Sequence, residues 1–447
     1  MKASKPDPID GPSRRNFLKV SGAALLSSSL LDRVARAAVA RVAPGAFARG
    51  DETLKVALIG CGGRGGGAAA QALSTAGPVK LVALADAFRD RAEGTLKNLM
   101  AGHAAQIDVP PDRVHVGFDA YKAAIDACDV AVLTAPPGFR PQHFEYAVAQ
   151  GKHVFMEKPV ATDAAGVRRV LAAAAVAKQK NLKVGVGLQR HYDPGYVEVV
   201  KRVQDGAIGD VMFQRVYWCD GGVWVNPRQP GQSEMEYQMR NWYYFNWLCG
   251  DHIVEQHIHN LDVANWVKNA TPIRARGHGG RQVRTGIDHG EIFDHHQVEF
   301  DYADGSKLFS YCHHWPGAWS SVSEHAHGTK GYADLSGQRI EGGKAWQFGR
   351  GRGEEGNDPY QREHDVLFDA IRNDKPHHEA NYGATSTMTA IMGRMATYSG
   401  KEIGWDEALQ SSENLFPEVL DWKANPRSMP DASGRYKIAR PGGAASS

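Results

Sequence analysis

The sequence predicts an α/β fold: a doubly wound parallel sheet followed by a second, α+β domain built on a mostly antiparallel sheet. Three observations carry this. Short apolar runs alternate with helical patterns from residue 54 to about 156. A glycine-rich turn, Gly60-Cys61-Gly62-Gly63-Arg64-Gly65, separates the first apolar run from the first helical pattern. From about Lys183 the texture changes to longer strand-like stretches punctuated by turn signals.

Taken in order, Leu54 to Ile59 is the first strand, Gly60 to Gly67 the turn, and Ala68 to Leu73 the small-residue start of a helix. Val79 to Ala85 is the next strand and ends at Asp86; a helix follows around Asp90 to Met100. Val130 to Thr134 and His153 to Met156 read as further buried strands, with a helix near Gln142 to Ala149 between them. In the second domain, Val211 to Trp218 is a strand, and Gln297 to Tyr302 with Lys307 to Cys312 form a hairpin around Asp304-Gly305. A helix is expected near His257 to Val267, and two late ones at Gln361 to Ile371 and Thr385 to Tyr398, packing back on the first domain. The expected divisions are 1–45 as signal and linker, 53–182, 183–355, 356–425 for the late helices, and a loose tail over 426–447.

Composition excludes several classes. A chain of 447 residues, 42% hydrophobic and 23% charged, has enough apolar material for two or three cored domains. Its 52 basic and 50 acidic side chains leave a net charge of +2, with no dense basic run beyond the N-terminus to neutralise a nucleic-acid backbone. Five cysteines with no CxxC pair support neither a disulfide framework nor a zinc ribbon. No apolar run reaches the length of a membrane-spanning helix.

The first 45 residues read as an address. Ser13-Arg14-Arg15-Asn16-Phe17-Leu18-Lys19 precedes an apolar stretch from Val20 to Leu31 and the small-residue pattern Ala35-Arg36-Ala37. This is the form of a twin-arginine export signal, which places the protein in the periplasm or otherwise outside the cytoplasm. That pathway carries folded proteins, so a cofactor can be loaded before crossing. Free nicotinamide cofactor is scarce outside. Either the cofactor is held tightly and recycled in place, or the signal serves as an outward-facing anchor.

The glycine turn has the form of a dinucleotide fingerprint. Gly60 permits the tight turn, Gly62 and its neighbour Gly63 let backbone approach a pyrophosphate, and Gly65 lets the helix pack on the strand with its N-terminus toward the phosphates. Asp86 lies about 20 residues further on at a strand end, where an acid accepts a ribose hydroxyl. Such an acid repels a 2′-phosphate, so NAD is favoured over NADP, with Arg64 and Arg89 keeping the second open. A helix N-cap is the competing role for Asp86.

Glu157-Lys158-Pro159 follows a strand directly and so lies at the carboxyl end of the sheet, where ligands of such folds bind. Glycine loop, strand-end acid and Met-Glu-Lys-Pro together resemble the Gfo/Idh/MocA family, the glucose-fructose oxidoreductase and inositol dehydrogenase group, over residues 53 to about 420. The resemblance implies a Rossmann domain joined to an open-faced antiparallel sheet that carries the substrate site and often mediates homo-oligomers. It implies further that Lys158 contacts substrate and nicotinamide, and that the Lys-Pro peptide shapes the cofactor pocket. The family's second motif, an acid four residues before a histidine, maps onto Glu255 and His259, with Asp262 following. Glu255 stands where the family more usually has Asp.

A four-residue spacing puts Glu255 and His259 on one helical face. In this reading His259 accepts the hydroxyl proton, Lys158 stabilises charge on oxygen, and Glu255 orients or balances the two. A structural histidine is the competing role. Gln189, Arg190 and His191, with Tyr243 in the aromatic run Trp242 to Trp247, are candidates for a sugar-binding surface; ordinary core aromatics are the alternative. No metal is expected, because His257 and His259 diverge on a helix and the pairs His295-His296 and His313-His314 fall on strands taken as unrelated.

Three functions follow. The first is an NAD(P)-dependent oxidoreductase moving hydride between a sugar, cyclitol or glycoside hydroxyl and nicotinamide. The second is an NAD-dependent glycosidase working by transient oxidation and elimination, against which the Glu-Lys-Pro signature weighs. The third is a noncatalytic nucleotide-binding sensor.

Overall fold

Six short strands, five of them strongly apolar, line up in a computed structural model that describes residues 52–349 and 358–442. The export-signal pattern lies outside the described residues. The strands are β1 (Leu54–Ile59), β2 (Val79–Asp86), β3 (Val114–Val116), β4 (Val130–Leu133), β5 (His153–Met156) and β6 (Val184–Val186). They form one parallel sheet in the order β3-β2-β1-β4-β5-β6. Every residue of β4, β5 and β6 is buried, which is why these strands read as continuous apolar runs rather than alternating ones.

Helices cover both faces. Leu54, Val56 and Leu58 point to α1 (Gly63–Leu73), α2 (Arg89–His103) and the late α11 (Pro359–Arg372). Ala57 and Ile59 point the other way, toward α3 (Ala120–Asp126), α4 (Arg140–Ala149) and α5 (Ala164–Gln179). The order reverses between β1 and β4, and ligands of doubly wound sheets bind at that reversal.

After α6 (Pro194–Gln204), a second sheet starts with β7 (Val211–Asp220). Four short helices intervene: α7 (Glu234–Arg240), α8 (Asn246–Cys249), α9 (His252–Glu255) and the longer α10 (Ile258–Lys268). The remaining strands are β8 (Arg274–Gly280), β9 (His295–Asp301), β10 (Lys307–His314), β11 (Ser321–Gly328), β12 (Gly331–Asp334), β13 (Arg339–Gly342), β14 (Trp346–Gln347) and β15 (Ile403–Gly404). Their order is β14-β13-β12-β11-β7-β10-β9-β8-β15, antiparallel throughout except for β7 beside β10. The hairpin expected at Asp304-Gly305 is present as β9 and β10, two residues longer at its open end than its apolar core suggests. That extension sets His295 opposite His313, so those histidines, taken from the sequence as lying on unrelated strands, share one ladder.

One face of this sheet is buried and the other is not. Along β10, Leu308, Ser310, Cys312 and His314 turn inward, while Lys307, Phe309, Tyr311 and His313 stay partly exposed. The covering layer includes α10 and α12 (Ala380–Ser399), and α12 also packs against α5. A single apolar core therefore runs from the first sheet through α5 and α12 to the second. No helix among the described residues is long and apolar enough to cross a membrane, and all five cysteines are buried and free.

After α13 (Trp405–Leu409) the chain carries no periodicity, yet it stays against the body. Trp422 stacks within 5.1 Å of Phe88 and 4.4 Å of Phe118, and Tyr436 is buried against Phe245 at 5.0 Å.

Arg394 of α12 is the polar tie across this seam. Its Nη1 donates to the carbonyls of Thr162 (2.7 Å) and Gly250 (3.2 Å), and its Nη2 to Glu413 (2.6 Å). Replacing it by leucine strips two buried carbonyls of their donor, so Arg394→Leu is expected to cost on the order of 3 kcal/mol in denaturant unfolding. A loss below about 1 kcal/mol would show that water replaces the guanidinium without penalty.

Candidate active site

The glycine loop joins β1 to α1 where side chains would not fit. Gly60 has φ +98°, and a Cβ there would lie 2.2 Å from the Ala135 nitrogen. A Cβ on Gly65 would lie 2.1 Å from the Gly60 carbonyl oxygen, so α1 is laid directly on its own loop. Gly62 and Gly63 are different: a Cβ on either meets nothing within 4 Å, because both border open space. The first turn of α1 has neither a side-chain cap nor an acid, leaving its N–H groups to whatever anion enters the cleft.

Asp86 ends β2 on the wall of the same cleft. Its Oδ2 accepts the Cys61 N–H at 2.6 Å and its Oδ1 the Phe88 N–H at 2.9 Å. Burial raises its proton affinity above the usual aspartate value, and the two N–H donors offset only part of that rise. Helix α2 starts at Arg89 without a side-chain cap, so Asp86 is not an N-cap. Arg64, the first candidate partner for a 2′-phosphate, is engaged elsewhere: its guanidinium pairs with Glu157 and Glu363 and donates to Gln71 at 2.8 Å. Arg89 pairs with Glu93. The arrangement suits a dinucleotide with a free ribose hydroxyl.

Strand β5 delivers the second group. Glu157 is buried, and it fits because the facing residue is Gly187, where a Cβ would stand 2.6 Å from Glu157 Oε2. Lys158 reaches across to the second sheet's side, donating from Nζ to the Glu255 carbonyl at 2.7 Å and its Oε1 at 3.3 Å. Glu255 is the last residue of α9, so the lysine caps carbonyls that a helix end leaves unsatisfied and adds positive charge at the negative end of the helix. The Lys158-Pro159 peptide is cis; Pro159 itself does not line the cleft.

Glu255 and His259 do not share one continuous helix, as their spacing suggests. The chain breaks at Gln256, whose φ is −110°, and α10 restarts at Ile258. The His257 N–H bonds back five residues to the His252 carbonyl, a local widening of the kind that often accompanies functional sites. Gln256 Oε1 hydrogen-bonds the buried His314 Nε2 at 2.8 Å. Both Glu255 and His259 still line the cleft beside Lys158. Burial, with Lys158, Arg190 and Arg64 nearby, holds the His259 imidazole well below the ordinary histidine value of 6.5. It is a neutral base near pH 7.

The expected substrate residues sit behind this surface. Arg190 and Asn260 bind the buried Glu324, His191 bonds Asp262 at 2.7 Å, and Asp262 also accepts from Ser386 at 2.7 Å. Gln189 donates to Tyr360 at 3.0 Å, and Tyr243 is buried against Glu255. None of Gln189, Arg190, His191, Tyr243 and Asp262 lines the cleft. Arg140 does, and sequence reasoning missed it: it opens α4 at the carboxyl end of β4, donates to the Leu133 carbonyl at 2.7 Å, and is pushed down to about 10 by burial. Its place after a strand end was the available signal. Trp242, the first residue of the expected aromatic run, completes the rim with Trp224 and Asn226, which lie in a segment with no recognisable motif.

The cleft holds about 630 Å³ and runs from the Gly62–Asp86 end to Lys158, Glu255 and His259. Open space at Gly62 and Gly63, an uncapped helix start and Asp86 on the wall fit a dinucleotide.

Comparison with known proteins agrees. Residues 54–188 match the GFO_IDH_MocA family model, described as an oxidoreductase family with an NAD-binding Rossmann fold. An inositol 2-dehydrogenase of Rhizobium meliloti is 27% identical over 255 residues, covering 57% of this chain and 67% of the relative. That of Paracoccus denitrificans is 31% identical over 228 residues, covering 50% of this chain and 57% of the relative. The aldose-aldose oxidoreductase of Caulobacter crescentus superposes with a TM-score of 0.60 at 17% identity, covering 79% of this chain and all of that one. GenD2 from gentamicin A biosynthesis, solved in complex with NAD, gives 0.60 at 18% identity, covering 80% and 97%.

Two alanine substitutions separate fold from cofactor in the loop. Gly62→Ala should leave unfolding stability within about 0.5 kcal/mol of the parent, yet weaken NAD binding more than about tenfold by calorimetry. Gly65→Ala should destabilise the protein itself by about 1–3 kcal/mol, because its neighbour is backbone that cannot yield. Unchanged NAD affinity in Gly62→Ala would remove the dinucleotide from this loop.

Proposed function

We propose that this chain, whose residues 54–188 match the Gfo/Idh/MocA family model, oxidises a secondary hydroxyl of a cyclitol or sugar, passing hydride to NAD. The observation that carries this is the meeting of Lys158, Glu255 and His259 in one cleft that continues to the glycine loop and Asp86. Gly60, Gly62, Gly63, Gly65 and Asp86 hold the dinucleotide. Bound NAD supplies the hydride acceptor.

His259 takes the hydroxyl proton as the carbon–hydrogen bond breaks and the carbonyl forms. Being neutral near pH 7, it needs no prior deprotonation. Lys158, fixed on Glu255, offers its remaining N–H to the substrate oxygen and stabilises the negative charge that develops there. Glu255 balances that ammonium through its Oε1 at 3.3 Å. Trp224 and Trp242 give the rim flat apolar faces suited to the C–H surface of a polyol ring, and Asn226 adds a planar hydrogen-bonding group. The inositol dehydrogenase relatives support a cyclitol as the substrate class. The twin-arginine pattern supports an exported enzyme that keeps its dinucleotide, and the half-open face of the second sheet supports a homo-oligomer.

Lys158→Met and His259→Gln should each lower kcat by roughly 10²- to 10⁴-fold while NAD still binds. Because the His259 value is depressed, kcat/KM of the parent should hold as pH falls through 6.5 and decline only in more acid solution. In Lys158→Met, with one repelling charge gone, the residual activity should decline at higher pH than in the parent. Full turnover in Lys158→Met, or an acid limb at or above pH 6.5 in the parent, contradicts the assignment.

A further inference from the structure

Behind the cleft, two imidazoles and a carboxylate converge from elements far apart in sequence. Asp251 and His252 stand at the start of α9, and His296 is the second residue of β9. They are 0%, 1% and 1% exposed. His296 Nε2 lies 3.2 Å and His252 Nε2 3.8 Å from Asp251 Oδ1, and the three donor atoms all fall within 4.8 Å of one another. Despite this closeness neither Nε2 makes a hydrogen bond. His296 Nε2 pairs with Asp251 Oδ1 and His252 Nε2 stands further off, so two buried ring nitrogens face one small region beside a single carboxylate, which is costly unless something more occupies the point between them.

We propose that Asp251, His252 and His296 form a site for a divalent transition-metal ion, with zinc as the best match. At bond lengths of about 2.0–2.2 Å, tetrahedral ligation places neighbouring donors roughly 3.3–3.6 Å apart; the two nitrogen–oxygen separations, 3.2 and 3.8 Å, lie just to either side of that range. Imidazole and carboxylate donors suit zinc and its neighbours rather than calcium or magnesium. The supporting shell is in place. His296 Nδ1 is fixed by Thr397 Oγ1 at 2.9 Å, so its other nitrogen is presented for ligation. Asp251 Oδ2 accepts the Phe293 N–H at 2.9 Å and the Tyr398 hydroxyl at 2.5 Å, while Oδ1 caps α9 by accepting the His252 N–H at 2.5 Å and also faces both imidazoles. The His314 ring stacks on His252 at 4.3 Å and holds its orientation.

The nearby cations hold partners outside the cluster, although Arg284 Nη1 also lies 3.4 Å from His314 Nδ1. Arg281 donates to the carbonyls of His289 and Gly290, and Arg284 to the Val223 carbonyl and Tyr244 hydroxyl. The remaining acid, Asp294, is committed to the backbone of residues 282–284 and to His295. A metal here pins the start of α9 to β9. Glu255 ends that same four-residue helix, so the ion fixes the residue on which Lys158 rests.

The test uses the untagged full chain. Elemental analysis as purified, then titration with cobalt(II) after chelator treatment, should give one metal per chain with the visible bands of a low-coordinate nitrogen- and oxygen-ligated ion, displaced by zinc. Chelator alone should lower the thermal midpoint of the parent, and cobalt(II) should restore it. His252→Gln, which spares the Asp251 contacts, should lose metal uptake while retaining NAD binding and its circular dichroism. Uptake no greater in the parent than in His252→Gln, or a midpoint indifferent to both chelator and cobalt(II), overturns the site and leaves a buried polar cluster.

Discussion

The contact on which the site depends is the one from Lys158 to the end of α9, 2.7 Å to the Glu255 carbonyl and 3.3 Å to its carboxylate. One partner is delivered by the parallel sheet and the other by the helices that cover the second sheet. Neither half alone assembles the chemistry. Buried charge is costly unless paired, and two of the cleft's cations have acids: Lys158 has Glu255, while Arg64 has Glu157 and Glu363. What is left over is His259, uncharged because burial and those same cations disfavour its protonated form. A neutral base beside a fixed ammonium is the combination that proton and hydride removal from an alcohol requires.

The shared core makes that juxtaposition durable. Helix α12 packs on α5 and on the second sheet, and Arg394 ties Thr162, Gly250 and Glu413 together within a few residues of Asp251. The chain after α13 adds Trp422 over Phe88 and Phe118, next to the strand end that carries Asp86. Phe88 and Phe118 line the cleft, so its wall is backed by sequence-distant segments.

Local features were legible in the sequence and long-range ones were not. The Gly60–Gly65 turn, Asp86 and Glu157-Lys158 each follow a strand directly, so position along the chain fixes position at the sheet's carboxyl edge. The β9–β10 hairpin was legible for the same reason, through a two-strand pattern and an Asp-Gly turn. By contrast, Glu255 and His259 read as one helix because the break at Gln256 has no proline or glycine to announce it; it depends on His314, 58 residues away. Arg190, His191 and Asp262 looked like substrate residues because they are polar and close to a motif. Their carboxylate and imidazole partners, Glu324 among them, come from other strands and helices and draw them into the interior. The Asp251, His252 and His296 cluster was invisible for the same reason, since it needs α9 and β9 to be side by side.

The central claim is direct hydride transfer at Lys158 and His259. The most direct measurement supplies the NAD-loaded protein with cyclitols and aldoses deuterated at their carbinol carbons and follows the label by mass spectrometry. The account predicts deuterium on the nicotinamide ring, with one equivalent of carbonyl product per reduced cofactor. Label released to solvent, or cofactor left oxidised while the substrate is consumed, would contradict it.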